Sequence, residues 1–346
     1  MSVTQGPLAT AYDIVIFDLD GVLYLVDQVI PGAVAAVSEL RRAGIAVAYA
    51  TNNASRSAQS VAELLTSMGI AAAPEDVVTS GGATAATLAE RFGPGASVLV
   101  IGAPALRAEV VGAGLRPVDG AADKPDVVVQ GYGPEVGWAD LAEASVAIRA
   151  GAAWYATNAD RTLPSPRGPL PGNGSLVAAL RTALGREPDA IVGKPDPGLF
   201  VEAAKARGAR RPLVVGDRLD TDVEGARRAG MDSILVLTGV SQPRDVLTAV
   251  PQQRPDFLAA DLAGLFDPAA VVAVPASTAT GWQVRRDGER WVLSGDGEPL
   301  DALAELYRAQ WATAQPAVAV DADGDAASAV LREFGLTRRP TSASGA

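Results

Sequence analysis

Short apolar runs alternate with longer stretches rich in Ala, Leu and Arg through most of the chain. Residues 13–17, 45–50, 76–79, 97–101, 126–129, 153–156, 190–192, 213–215 and 233–237 read as buried strands, each a brief apolar block next to turn-forming or polar residues. Residues 32–43, 58–68, 138–150, 174–184 and 221–229 read as helices. Strands alternating with helices predict βαβ units and parallel sheets, an α/β architecture that presents functional side chains at the C-terminal ends of strands. The pattern changes after about residue 262. There Trp282, Val284, Trp291 and Leu293 flank the turn Arg286-Asp287-Gly288-Glu289, predicting a hairpin over 282–297. Helices over 300–311 and 326–334 follow, so the C-terminal part is expected to be a small α+β region. Residues 337–346 have the composition of a frayed chain end.

Composition narrows the chemistry. The chain has 346 residues, enough for two or three domains of roughly 150 residues. It contains no cysteine, which excludes disulfides, thiol nucleophiles and Cys-based metal sites. It contains no histidine either, which excludes Ser-His-Asp triads and imidazole acid–base catalysis. Any enzyme built from this chain works with carboxylates, Lys, Arg and hydroxyls. A net charge of −11 argues against nucleic-acid or anionic-membrane partners. The first basic residue is Arg41 and no apolar run reaches membrane-spanning length, so a soluble cytoplasmic protein is expected.

Four polar clusters fall at predicted strand ends. The first is Asp18-Leu19-Asp20-Gly21, where two carboxylates project to the same side of an extended chain and repel one another. The second, Thr51-Asn52-Asn53, offers hydroxyl and amide donors to an anion beside a helix start. The third, Gly193-Lys194-Pro195-Asp196-Pro197, pre-positions a cation suited to phosphate. The fourth, Gly216-Asp217-Arg218-Leu219-Asp220-Thr221-Asp222, supplies further acids. Carboxylates without His or Cys select a hard cation, and Mg²⁺ is the usual one beside phosphate. Taken singly, each cluster also reads as an ordinary turn, cap or loop. Their fixed order at successive strand ends is the stronger signal.

That order resembles the haloacid dehalogenase superfamily, and Tyr49-Ala50-Thr51-Asn52-Asn53 with Val192-Gly193-Lys194-Pro195 narrows the resemblance to the subfamily IIA phosphatases. It covers about residues 10–262. The resemblance implies a Rossmann-like core over 1–82 and 189–262, an inserted α/β C2-type cap over 83–188, and an appended region over 263–346. It implies Asp18 as nucleophile, Asp20 as acid/base, and Thr51, Asn52 and Lys194 as phosphate-binding groups. Mg²⁺ is implied on Asp18, the Asp20 carbonyl and Asp217, with Asp222 orienting Lys194 and a metal-bound water. Attack by Asp18 would give an aspartyl-phosphate. Asp20 would need a pKa above the carboxylate norm, raised by Asp18 and the phosphate. A small phosphorylated metabolite is the expected partner, and a homo-oligomer stays open. Glycerol 3-phosphate leads by resemblance to tailed members; phosphoglycolate, pyridoxal phosphate and nucleotide monophosphates are the alternatives. The proline-rich loop 158–174, with Asp160, Arg161 and Arg167, reads either as a surface loop of the cap or as a substrate lid. The appended region resembles part of an acetyltransferase fold but lacks an Arg/Gln-x-x-Gly-x-Gly/Ala run, so a structural or partner-binding module is expected rather than acetyl transfer.

Overall fold

The computed structural model describes residues 6–274, 280–313 and 319–336. Its largest sheet has seven strands in the order Val271–Ala273, Phe257–Ala259, Asp232–Val236, Pro212–Gly216, Ile14–Phe17, Ala46–Thr51 and Val77–Thr79. All neighbours pair in parallel except Val271–Ala273, which runs antiparallel at one edge. The all-apolar Ile14–Phe17 is buried at every position, as a central parallel strand covered on both faces requires. Val15 and Phe17 belong to one apolar cluster with Val37 and Leu40 of helix Ala33–Arg42, while Ile14 and Ile16 belong to the opposite one with Leu199 and Phe200 of helix Gly198–Ala206.

A second, five-stranded parallel sheet has the order Ala190–Ile191, Ala153–Ala156, Val127–Gln130, Ser97–Ile101 and Arg116–Val118. It forms the inserted cap, with Trp154 of the sheet in one apolar cluster with Ile148 of helix Trp138–Arg149 and Val177 of helix Asn173–Leu184. Two boundaries drawn from the sequence move. Ala190–Ile191 pairs with Ala153–Ala156, so the chain is still in the cap's sheet after residue 188. The core sheet in turn extends past residue 262 to Val271–Ala273. Helix 221–229 is replaced by a wide π-helical turn, Leu219–Val223, leading into the helix Glu224–Arg228. The wide turn carries Asp222, and such turns recur at functional sites.

The C-terminal region is a three-stranded sheet with two helices. Trp282–Asp287 pairs antiparallel with Arg290–Gly295, as the hairpin pattern predicts, and Ala319–Asp323 adds in parallel. Helices Pro299–Trp311 and Asp325–Glu333 cover it. Leu293, Leu303, Leu306 and Tyr307 share one apolar cluster with Leu219, Leu235, Val246 and Leu258 of the core. Tyr307 donates to the Pro243 carbonyl at 3.1 Å, and Trp311 Nε1 to the Val246 carbonyl at 3.1 Å. The region is therefore packed into the core's own interior. The predicted frayed end, 337–346, lies outside the described residues. Among the described residues no helix is long and apolar enough to cross a membrane.

Candidate active site

Parallel register delivers three of the four clusters to one place, and the loop after the cap strand Ala190–Ile191 brings the Lys194 cluster to them. Phe17 pairs with both Tyr49 and Val215, so Asp18, Thr51 and Asp217 leave neighbouring strands at the same sheet edge. They meet Lys194 at the floor of a cavity of about 620 Å³ between core and cap. The Lys194 ammonium is buried and all three of its protons are engaged: by Asp18 Oδ1 at 2.5 Å, Asp222 Oδ1 at 2.7 Å and the Ala50 carbonyl at 3.1 Å. Burial works against the Lys194 charge, but Asp18 and Asp222 outweigh it and hold its pKa above the lysine norm. Asp18 is pushed well above the carboxylate norm by burial, against the pull of Lys194.

Asp217 is fully buried. Its Oδ2 accepts from the Val240 amide at 2.6 Å, while Oδ1 has no partner among the described residues. Burial, then the charge of Asp222, pushes Asp217 up to about 7. The loop around Gly239 comes so close that a Cβ at Gly239 or Gly21 would collide with the Asp217 carboxylate; Gly21 also has φ +85°, a conformation that favours glycine. Oxygens of Asp18, Asp217 and Asp222 lie within 4.8 Å of one another. An all-carboxylate donor set with an orphaned buried oxygen fits a hard divalent cation.

Asp20 stands beside this cluster on the cavity wall. Burial raises its pKa to about 6, against the pull of Lys194 and Arg56. The cause is thus chiefly desolvation rather than the Asp18 charge that the sequence suggested. Thr51 Oγ1 accepts from the Asn53 amide at 3.1 Å, which leaves its own proton free to donate to a ligand.

Asn52 has a second set of contacts that the sequence did not suggest. Its Oδ1 accepts from the Lys194 amide at 2.8 Å and its Nδ2 donates to the Lys194 carbonyl at 3.1 Å. The side chain thus fixes the Lys194 backbone while it also lines the cavity. Of the loop 158–174, Asp160 lines the cavity, together with Leu163, Pro164 and Pro169 of the hairpin Thr162–Leu163/Leu170–Pro171. Arg161 and Arg167 are exposed and are absent from the cavity wall. The sequence reading also missed Arg56, Arg218 and Tyr132, which do line it. Arg218 could have been suspected from its place inside the fourth cluster; it holds Asp220 through two hydrogen bonds of 3.0 and 2.9 Å.

A core of this topology with an inserted cap, and an acid–lysine cluster at its strand ends, defines a class of hydrolase. The haloacid dehalogenase-like hydrolase model matches residues 15–116 and a second HAD-hydrolase-like model matches 191–265; the chain belongs to that family. Residues 279–336 match a GCN5-related N-acetyltransferase like domain. Among individual proteins, the chain is 47% identical over 294 residues to the D-glycerol 3-phosphate phosphatase of Mycobacterium tuberculosis (strain ATCC 25618 / H37Rv), covering 85% of this chain and 82% of that one. A crystal structure of glycerol phosphate phosphatase from Mycobacterium tuberculosis in complex with magnesium superposes with a TM-score of 0.89 at 43% identity, covering 96% of this chain and all of that one. The 4-nitrophenylphosphatase of Thermotoga maritima matches with a TM-score of 0.69 at 35% identity, covering 75% of this chain and 97% of its own.

Proposed function

We propose that this protein is a Mg²⁺-dependent phosphatase of small phosphate monoesters, with glycerol 3-phosphate as its substrate, acting in the cytoplasm. The carrying observation is the buried arrangement of Asp18, Lys194 and Asp222 beside an Asp217 oxygen that has no partner among the described residues. Similarity to the glycerol 3-phosphate phosphatase over most of both chains supports the substrate.

In this reading the substrate phosphate enters between Thr51, Lys194 and the carboxylates. An Asp18 oxygen attacks phosphorus as the bond to the alcohol oxygen breaks, giving an aspartyl-phosphate. Asp20, which burial keeps partly protonated near neutral pH, gives its proton to the departing alkoxide. It then takes a proton from the water that attacks the phosphorus of the intermediate, and phosphate leaves with Asp18 restored. Asp222 holds Lys194, whose buried positive charge offsets the charge of the transferring group, and Thr51 supplies a donor to one of its equatorial oxygens. Asp18, Asp217 and the Asp20 carbonyl are the groups that would hold Mg²⁺, which when bound offsets the crowded negative charge. Asp160, on the cap side, faces the alcohol portion.

The test is phosphate release from a panel of esters with Mg²⁺, ranked by kcat/KM. Glycerol 3-phosphate should rank above phosphoglycolate, pyridoxal phosphate and nucleotide monophosphates. A clear preference for one of those would replace the substrate while leaving the chemistry.

A further inference from the structure

The buried lining of the cavity is polar, and its more exposed lining carries apolar side chains beside the exposed Arg56 and Thr162. On the core side the mouth is formed by Leu25 and Val26, at the tip of the hairpin Tyr24–Leu25/Gln28–Val29, and by Val240. On the cap side it is formed by Leu163, Pro164 and Pro169. Leu25 is 46% exposed and Val240 62% exposed, although apolar side chains gain by leaving water. Val26 adds an independent observation. It sits at φ +60°, a conformation that glycine adopts freely and a β-branched residue adopts only under strain. A turn that bears this strain keeps a valine side chain on the cavity wall where glycine would be the relaxed choice. The cavity, at about 620 Å³, is in the range that holds drug-sized ligands, well beyond a triose-sized ester whose phosphate is fixed at the floor.

We infer that the site also takes amphiphilic phosphate monoesters: the phosphate sits on the floor, and an alkyl or acyl chain on the alcohol lies between the Leu25/Val26/Val240 lip and the Leu163/Pro164/Pro169 lip. The inference rests on the phosphatase reading above and extends its substrate class. The chemistry is unchanged, since the P–O bond to the alcohol breaks, water supplies the oxygen and proton, and a longer-chain alcohol leaves.

The experiment compares n-butyl, n-hexyl and n-octyl phosphate with glycerol 3-phosphate, each below its aggregation limit. Complete burial of a methylene is worth about fourfold in affinity, and about twofold where one side stays wet, so kcat/KM should climb about twofold per added methylene. In Val26→Gly, whose backbone suits glycine and which should fold at least as well, and in Val26→Gly with Val240→Ser, the climb should flatten. Chain-length independence in the parent would overturn the inference and would mean that the two lips meet one another on cap closure. A climb that persists in the double variant would also overturn it, by placing the chain elsewhere. Turnover of alkyl phosphates without turnover of glycerol 3-phosphate would remove the proposed substrate but leave this inference standing. Absence of turnover on every ester would overturn both.

Discussion

Lys194→Met removes a cation that occupies the centre of a buried anionic cluster while keeping much of the side chain's length and apolar body. In the parent, one ammonium group satisfies Asp18, Asp222 and the Ala50 carbonyl. After the substitution, Asp18 and Asp222 face one another and Asp217 with no positive charge on the floor, and each is almost out of contact with water. Removing one partner of a buried ion pair costs about 3–5 kcal/mol, because the remaining charge stays buried and unpaired. That is a large fraction of the roughly 5–15 kcal/mol that holds a domain folded. The expected result is a urea midpoint at pH 7.5 in EDTA that is lower by an amount in this range, with no phosphatase activity. The loss should be partly reversed in two ways that a packing defect would not show. Saturating Mg²⁺ replaces some of the missing charge, and a cation at a hundred times its dissociation constant returns about 2.7 kcal/mol. Lower pH protonates the stranded carboxylates and should also restore stability. An unfolding free energy in EDTA within about 1 kcal/mol of the parent, against the cost expected for a buried pair, would show that Lys194 is not the counter-charge of this cluster. A loss insensitive to both Mg²⁺ and pH would point to the same conclusion.

Other predictions follow from the same floor. Asp18→Asn should abolish turnover with the fold intact, since the amide keeps the shape but cannot form an acyl phosphate; substantial activity in the purified variant would remove Asp18 as nucleophile. Asp217 has a folded pKa pushed up to about 7, so the stability linked to it is complete below its unfolded pKa and is lost as pH rises through about 7. Asp217→Asn should therefore melt higher than the parent above pH 7 in EDTA, by on the order of 2 kcal/mol, while calorimetry finds its Mg²⁺ binding weakened by orders of magnitude; unaltered Mg²⁺ affinity would exclude Asp217 as a ligand. Exhaustive EDTA treatment and dialysis should abolish parent activity and added Mg²⁺ should restore it, and full metal-free activity would contradict the proposed cofactor. Deletion of residues 275–346 would bare Leu219, Val246 and Leu258, which now share a cluster with Leu303 and Tyr307; the shortened protein should aggregate or melt many degrees lower, and normal melting with normal light scattering would show that the appended region contributes no core.

The floor of the site was legible because each polar cluster interrupts an apolar strand, and parallel register carries successive strand ends to one edge. Asp18, Thr51, Asp217 and Asp222 come together for that reason, while Lys194 arrives on the loop that leaves the cap strand Ala190–Ile191. Long-range pairing was not legible. That Asn52 fixes the Lys194 backbone depends on two residues far apart in sequence meeting at 2.8 Å, and no local pattern encodes that. Ala190–Ile191 reads as a strand from its side chains, but a two-residue strand carries no mark of which sheet it joins. The edge strand Val271–Ala273 lies beyond the point where the βαβ alternation stops, so the pattern placed the end of the core too early. Asp160 faces the cavity while Arg161 and Arg167 turn outward, a choice made by the hairpin geometry of the loop and not by its composition. The strain at Val26 is likewise invisible in sequence, where Leu25-Val26-Asp27 looks like any hairpin tip.

The most direct test of the account is to catch the covalent intermediate. Purified protein with Mg²⁺ and glycerol 3-phosphate is quenched in acid within one turnover, digested, and read by mass spectrometry. The account predicts a phosphoryl adduct on the peptide that carries Asp18, absent without Mg²⁺ and absent in Asp18→Asn. Stoichiometric phosphate release with an unmodified Asp18 peptide, or an adduct on any other residue, would contradict it.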